Sequence, residues 1–353
     1  MRVLLLSRYA VLGASSRVRY LQYLSYFRAQ GVEVAVEPLF SDDYVRALYE
    51  GGRRWPEVFS GYWRRLLALF HARRFDALII EKELFPFLPA AAERFLRASG
   101  VPYLVDYDDA LFHRYGQHGN PLVRGLLGRK IDTVMRQAAV VVAGNQYLAE
   151  HARQAGAKIV EIIPTVVDTD RYAPASKRPE GPPVVGWIGT PQTSRYLLPL
   201  IPVFEQLRRA MPVRFVAVGA RAGDFAGTPV EAQPWSEEAE VAAIQQFDVG
   251  IMPLDDTPWE RGKCGYKLIQ CLACGVPVVA SPVGVNREIV SHGENGFLAD
   301  TLEEWKQSLE RLVGLDPATR IAMGSVGRTR VERWHSLQVQ APRFLEALRR
   351  AAR

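Results

Sequence analysis

Cysteine is scarce in this 353-residue chain: Cys264, Cys271 and Cys274 are the only three, and they share one short stretch. An odd number gives no disulfide framework, and the fourth ligand of a zinc site is missing. The three are expected to be reduced and structural. Long apolar runs are absent too, and the start, Met1-Arg-Val-Leu-Leu-Leu-Ser7, reaches Arg8 too early for a signal-peptide core. The expected location is the cytoplasm, with the inner face of the membrane as a further option. The spaced Gly-x-Gly-x-x-Gly of dinucleotide enzymes does not occur, nor does a Walker-type Gly-Lys-Ser/Thr, a nucleic-acid-binding motif, an internal repeat or a low-complexity segment.

What is present is a basic balance, with a net charge of +6 and a pI near 9.2, which suggests an anionic partner without naming it. Residues 1–175 hold 23 Lys+Arg against 18 Asp+Glu, and the remainder 21 against 20, so the surplus lies in the N-terminal half. Its densest part runs from Arg53-Arg54-Trp55 through Arg64-Arg65 to Arg73-Arg74, with Phe59, Trp63, Leu67 and Phe70 interleaved. A basic, aromatic helix of this kind can lie on an anionic membrane. The plainer reading, favoured on pattern, is a core-packing helix with a solvated basic face.

Short apolar strand-like runs alternate with longer helical segments, the rhythm of βα units around parallel sheets. Arg2–Ser7, Val32–Pro38, Ala77–Ile80, Pro102–Asp106 and Ala139–Ala143 read as strands of one doubly wound domain, with a helix expected from about Ser16 to Gln30. Ala173 to Pro183, rich in proline, sustains neither helix nor central strand and reads as a linker. Val184–Ile188, Val213–Val218, Val249–Met252 and Pro277–Ala280 then supply a second Rossmann-like domain. The expected organisation is an N-terminal domain over 1–172, a linker over 173–183, a second domain over 184–335, and a C-terminal helix over 336–353 packing back on the first.

Three stretches can carry chemistry. The loop Leu12 to Val18 follows the first strand and opens a helix, so its amides can stabilise an anion, with Gly13 permitting close approach and Arg17 adding charge. Ser15 joins Gly13 and Arg17 as a candidate for phosphate contact, and the plainer alternative, compatible with it, is that Ser15 or Ser16 caps that helix. The run Asp106-Tyr-Asp-Asp109 follows a buried strand, which places carboxylates at the ligand-binding end of the sheet. There they could orient hydroxyls, act as a base or bind a divalent metal, or merely cap a following helix. His113 could share that site, and His118 is an equally open candidate. The richest stretch is Pro253 to Ala280. In it Lys263 and Lys267, four apart, would share a helix face beside the amides around Gly265, neutralising a diphosphate, with Tyr266 adjacent and Gln270 one turn on, set to bond a ribose edge.

Gln270-Cys-Leu-Ala-Cys-Gly-Val-Pro-Val-Val-Ala280, followed by Ser281 to Glu288 and His292 to Leu298, resembles the donor-binding signature of the retaining family-four glycosyltransferases of the GT-B fold. Gly13 to Arg17 is similar to the family's first Gly-rich loop, Gly186-Trp-Ile-Gly189-Thr190 to its second phosphate loop, and Ile163 to Asp168 to its Pro-Asn-Gly-Val-Asp segment. The resemblance implies an α/β fold of two Rossmann-like domains facing each other across a cleft. It implies transfer of a sugar, with retention, from a nucleotide-diphosphate donor to a carbohydrate or lipid-linked acceptor. The donor's diphosphate would meet Gly13, Arg17, Thr190, Lys263 and Lys267. No metal and no further cofactor are implied, and Asp108 or Asp109 would orient substrate. The expected setting is polysaccharide or glycolipid assembly.

Two positions depart from the family's Glu-x7-Glu pair: Gly262 stands for the first glutamate and Gln270 for the second. Glu260 is then a candidate to replace the first. The alternatives are a catalytically silent sugar-nucleotide-binding subunit and a nucleotide-sugar epimerase of the same fold.

Overall fold

The computed structural model describes residues 1–49, 52, 54–176 and 181–353. Arg53 of the basic stretch and residues 177–180 of the expected linker lie outside the described residues. Among those described, no helix is long and apolar enough to cross a membrane. The chain divides into two compact units.

The first unit comprises Met1–Thr165, Arg261–Cys264 and Leu337–Arg353, so it ends its main run before the Tyr172 boundary and takes in a short piece of the later sequence. Its six strands are β1 (Arg2–Leu6), β2 (Glu33–Val36), β3 (Ala77–Glu81), β4 (Tyr103–Tyr107), β5 (Val140–Ala143) and β6 (Val160–Ile162). All pair in parallel in the order β2-β1-β3-β4-β5-β6. The largely apolar sequence of β3, β4 and β5, broken only by Glu81 and Asp106, matches strands buried on both faces. Leu4, Leu6, Leu78, Ile80 and Val105 share one core with Tyr115 and Met135. Elsewhere in the unit Phe344, from the helix Leu337–Ala351, meets the rings of Tyr23 at 5.1 Å and Phe27 at 5.7 Å. The single helix expected over Ser16–Gln30 is instead Ala14–Arg19, a 3-10 turn Leu21–Tyr23, and Leu24–Ala29.

The second unit comprises Val166–Glu260 and Gly265–Ser336. Its strands are β7 (Val184–Ile188), β8 (Arg214–Val218), β9 (Val230–Gln233), β10 (Val249–Met252), β11 (Val278–Ala280) and β12 (Gly296–Leu298), all parallel in the order β12-β11-β10-β7-β8-β9. Alternate residues feed alternate cores: Val184 and Ile188 face one, Val185 and Trp187 the other. A helix on each side therefore finds an apolar wall.

In each sheet the winding direction reverses between two neighbouring strands, β1 and β3 in the first unit, β7 and β10 in the second. The loops leaving the carboxyl ends of such a pair diverge and open a crevice, the usual ligand site of doubly wound sheets.

Candidate functional sites

At the first crevice, Gly13 is the residue before the helix Ala14–Arg19, and a Cβ there would stand 2.3 Å from Tyr9 Cβ. Neither serine caps that helix, so the capping alternative is not realised. Ser16 Oγ instead donates to Glu81 Oε2 at 2.6 Å and accepts from the Tyr9 amide at 3.1 Å, because Glu81 at the end of β3 is buried and demands donors. Arg17 is buried, and its guanidinium donates to the Val11 carbonyl at 3.2 Å, holding the loop's own backbone.

The acidic run splits in two. Asp106 does not face a crevice: it is buried and takes two hydrogen bonds from Arg19, at 2.8 and 2.6 Å. Burial works against the Arg19 cation, but Asp106 outweighs it and holds the guanidinium firmly charged. Asp108 and Asp109 turn the other way, onto the Lys82 ammonium at 2.8 and 3.2 Å. Burial alone would raise the Asp108 pKa. The attraction of Lys82 and then Arg19, with hydrogen bonds from Lys82 and Ser15, together overcome it and hold the carboxyl at about 2. Burial likewise opposes the Lys82 cation, while Asp108, Asp109 and Glu81 raise it above the ordinary lysine range.

Lys82 was not singled out in the sequence, yet it centres this cluster. It adopts φ 64°, a left-handed backbone that a long side chain rarely takes, and Ser15 Oγ lies 3.5 Å from its Nζ. The available signal was Glu81-Lys82-Glu83, three charges directly after an apolar strand. His113 belongs elsewhere: its Nε2 lies 2.7 Å from the Tyr147 hydroxyl, and burial, then His151, lowers its pKa. His118 makes a local contact, accepting from the Asn120 amide at 3.1 Å.

The segment Arg261–Cys264 completes the cluster. Asn145 caps the helix Gln146–Gln154 with its side-chain oxygen, and its amide nitrogen donates to the Gly262 and Lys263 carbonyls, both at 3.1 Å. The Cys264 thiol donates to the Asp108 carbonyl at 3.3 Å. Lys263 thereby arrives with its Nζ 3.8 Å from Asp109 Oδ1. The expected shared helix face for Lys263 and Lys267 is not formed, because the helix begins only at Tyr266, after Gly265 in the left-handed conformation at φ 66°. Gly262 also explains the missing glutamate, since a Cβ there would stand 2.5 Å from Ala110 Cβ and 2.7 Å from its amide nitrogen.

In the second unit, Gly189 and Thr190 leave β7, and Lys267 comes from the first turn of the helix Tyr266–Ala273. Lys267 Nζ stands 5.4 Å from the centre of the Trp187 ring, and its Cε lies 2.8 Å from where a Gly189 Cβ would be. A Cβ there would also stand 2.4 Å from the Trp187 ring, so glycine keeps the turn open beside that ring and lysine. Gly265 is equally constrained, by Ile289 at 2.3 Å from its Cβ position. Gln270 is buried and donates to the Tyr172 hydroxyl at 3.2 Å, which also meets the Tyr266 hydroxyl at 3.2 Å and donates to Glu240. Glu260 is buried as well, accepting from Tyr196 and Thr257. These three line a pocket of about 430 Å³ with Arg195, Asp255 and Trp259. Among the described residues no group of three or more His, Cys, Asp and Glu is placed to hold a metal ion.

Comparison with known proteins accounts for both units. A D-inositol 3-phosphate glycosyltransferase of Corynebacterium jeikeium is 27% identical over an alignment of 192 positions that covers 47% of this chain and 46% of that relative, so the match takes in less than half of the relative's length. Sucrose-phosphate synthase from Thermosynechococcus elongatus has the same fold with a TM-score of 0.75 at 15% identity, over 99% of this chain and 98% of that one. Anabaena HepE, solved with UDP-glucose, gives 0.71 at 15%, over 99% of both chains. Residues 13–166 match the glycosyl transferase 4-like domain and residues 182–314 match the glycosyl transferases group 1 model, and the chain belongs to these family-four-type glycosyltransferases of the GT-B fold.

Proposed function

We propose that the protein transfers a sugar, with retention of configuration, from a nucleoside-diphosphate donor to a hydroxyl acceptor of a carbohydrate or lipid-linked kind, in polysaccharide or glycolipid assembly. The observation that carries the reading is the convergence of Lys267 and the glycine loop Gly189–Thr190 on one spot of the β7/β10 crevice, a cation beside a turn whose glycine lets a ligand approach the backbone closely. That is the chemistry a diphosphate requires. Tyr266, half-buried on the first turn of the same helix, is the side chain left to meet a ribose, since Gln270 one turn on is buried and committed to Tyr172. The pocket at Glu260 suits a sugar ring, lined by the Glu260 carboxylate, the Tyr196 and Thr257 hydroxyls and the Arg195 guanidinium. HepE is known with UDP-glucose, which makes UDP-hexoses the first donors to try.

In the reaction the bond between the anomeric carbon and the diphosphate oxygen breaks as the acceptor oxygen bonds to that carbon on the same face. The acceptor's proton passes to the departing phosphate oxygen. Lys267 stabilises the charge that grows there, the effect that usually contributes most to such catalysis. In the first unit Asp109, with Ser15 and Lys263, orients the acceptor hydroxyl. Asp108, held ionised by Lys82, keeps that lysine in place.

Calorimetric titration with UDP-, GDP-, ADP-, CMP- and dTDP-sugars, on the wild type and Lys267→Ala, tests the donor assignment. One donor should bind, more weakly in the variant. Failure of every donor would overturn the site. Binding without transfer or hydrolysis across an acceptor panel would instead support the silent-subunit reading, and conversion of donor without any acceptor the epimerase reading.

A further inference from the structure

The helix Trp55–Phe70 is amphipathic on the wrong side for a core-packing element. At about 100° per residue, Trp55, Phe59, Trp63, Leu66, Leu67 and Phe70 fall within an arc of roughly 120°. This arc faces solvent: Phe59 is 72% exposed, Trp63 62% and Phe70 73%. The opposite side, at Gly61, Arg65 and Leu69, is the buried one. The core-packing reading favoured from the sequence is therefore reversed for these aromatics.

We infer that this face docks on an anionic bilayer, lying flat at the level of the lipid headgroups. Tryptophan and phenylalanine are the side chains that partition into that layer, and a helix of this length rests in it rather than crossing it. The charge agrees. Between residues 54 and 74 the sequence has five arginines against one carboxylate, Glu57, and Arg54, Arg64, Arg73 and Arg74 are exposed. An anionic lipid surface complements that excess. A second copy of the chain fits less well, since a two-fold pairing of this face with itself would bring Arg64, Arg73 and Arg74 toward their own equivalents.

The helix is also firmly seated. The buried Arg65 donates from its inner side to the carbonyls of Leu6, Ser7 and Glu37, at the carboxyl ends of β1 and β2. Ser7 opens the loop that runs to Gly13. A docked helix thus holds the edge of the first crevice beside the lipid, and, on the transferase reading above, the acceptor of that crevice is lipid-anchored.

Vesicle co-sedimentation tests the docking without donor or acceptor, so its outcome is independent of the enzymatic reading. Phosphatidylcholine vesicles are compared with vesicles that also contain phosphatidylglycerol. The full chain should sediment with the second far more than with the first, and lose most of that binding in high salt. Phe59→Ser/Trp63→Ser/Phe70→Ser should lower the vesicle-bound fraction at least about tenfold, and Arg64→Glu/Arg73→Glu/Arg74→Glu should abolish the preference for phosphatidylglycerol. Both variants change exposed side chains, and unchanged circular dichroism and thermal midpoint confirm that they fold. Wild type left in the supernatant, or serine variants that bind as it does, overturns the proposal. So does a wild-type dimer in light scattering that the serine variants convert to monomer, which assigns the face to a second copy.

Discussion

The amide nitrogen of Gln270 lies 3.2 Å from the hydroxyl oxygen of Tyr172, and Tyr172 gives its own proton to Glu240. A phenol has one proton, so its oxygen can satisfy one carboxylate and must otherwise accept. A glutamate at position 270 would face that oxygen with no proton to receive. The neutral amide is thus what the Tyr172–Glu240 pair requires, which gives the departure from the family glutamate a structural cause.

Gln270→Glu should accordingly destabilise the protein by about 2 kcal/mol near neutral pH, the cost of a buried acceptor left without a donor. The loss should shrink in acid as the new carboxyl takes up a proton. Urea unfolding at neutral pH and near pH 5 measures both. Equal stability to wild type at neutral pH would show that the Tyr172 network tolerates a second carboxylate.

Lys82→Met removes the cation shared by Asp108 and Asp109 and should cost about 3 kcal/mol at neutral pH, since it leaves a buried charge uncompensated. The pH dependence follows from the Asp108 pKa. A carboxyl depressed to about 2 in the folded state contributes stability that is fully present above its unfolded value, about 4, and is lost as pH falls through 2. Wild type should lose about 2 kcal/mol over that window from this group. In Lys82→Met burial prevails and Asp108 no longer titrates low, so that component should vanish or change sign. Denaturation curves between those two pH values decide it.

Asn145 holds the segment Gly262–Cys264 through one amide nitrogen while its oxygen caps a helix, and Asn145→Asp separates the two functions. The aspartate keeps the cap but sets a carboxylate against two carbonyl oxygens. The expected loss is about 2 kcal/mol. The segment should also loosen, and Cys264, buried in wild type, should react with a thiol reagent on the order of tenfold faster. Unchanged labelling would mean that the Gly262–Ala110 and Cys264–Asp108 contacts hold the segment alone.

The two sheets were legible in the sequence where strands are buried on both faces, as in Ala77–Glu81 and Val184–Ile188, because such strands read as largely apolar runs. The edge strands Val160–Ile162, Val230–Gln233 and Gly296–Leu298 were not, being short and, in the first two, half-open and carrying a glutamate. The glycine loops and Lys267 were legible as well, since their spacing is local. Lys82 and Asn145 were not. Their importance comes from partners at Asp108 and at Gly262–Lys263, far along the chain, and no local pattern records such a pairing. The direction in which Trp55–Phe70 turns its aromatics was hidden for a related reason: periodicity gives the stripe, and only the packing of Arg65 tells which side is inside.

Restoring the family's first glutamate should fail for the same reason that it is missing. A Cβ at position 262 would stand 2.5 Å from Ala110 Cβ and 2.7 Å from its backbone nitrogen, and backbone cannot step aside as the end of a flexible side chain can. Gly262→Glu should therefore destabilise by about 3 kcal/mol and lower transfer, and Gly262→Ala should cost nearly as much, because the clash lies at Cβ. Glu260 lies in the pocket of the second unit, where Tyr196 and Thr257 donate to it, so the informative change there is Glu260→Gln. If the pocket holds the donor sugar, that variant should weaken binding of the nucleotide sugar while leaving binding of the bare nucleotide diphosphate unchanged, which paired titrations read directly. An equal loss for both ligands would place Glu260 at the diphosphate or in the fold rather than at the sugar.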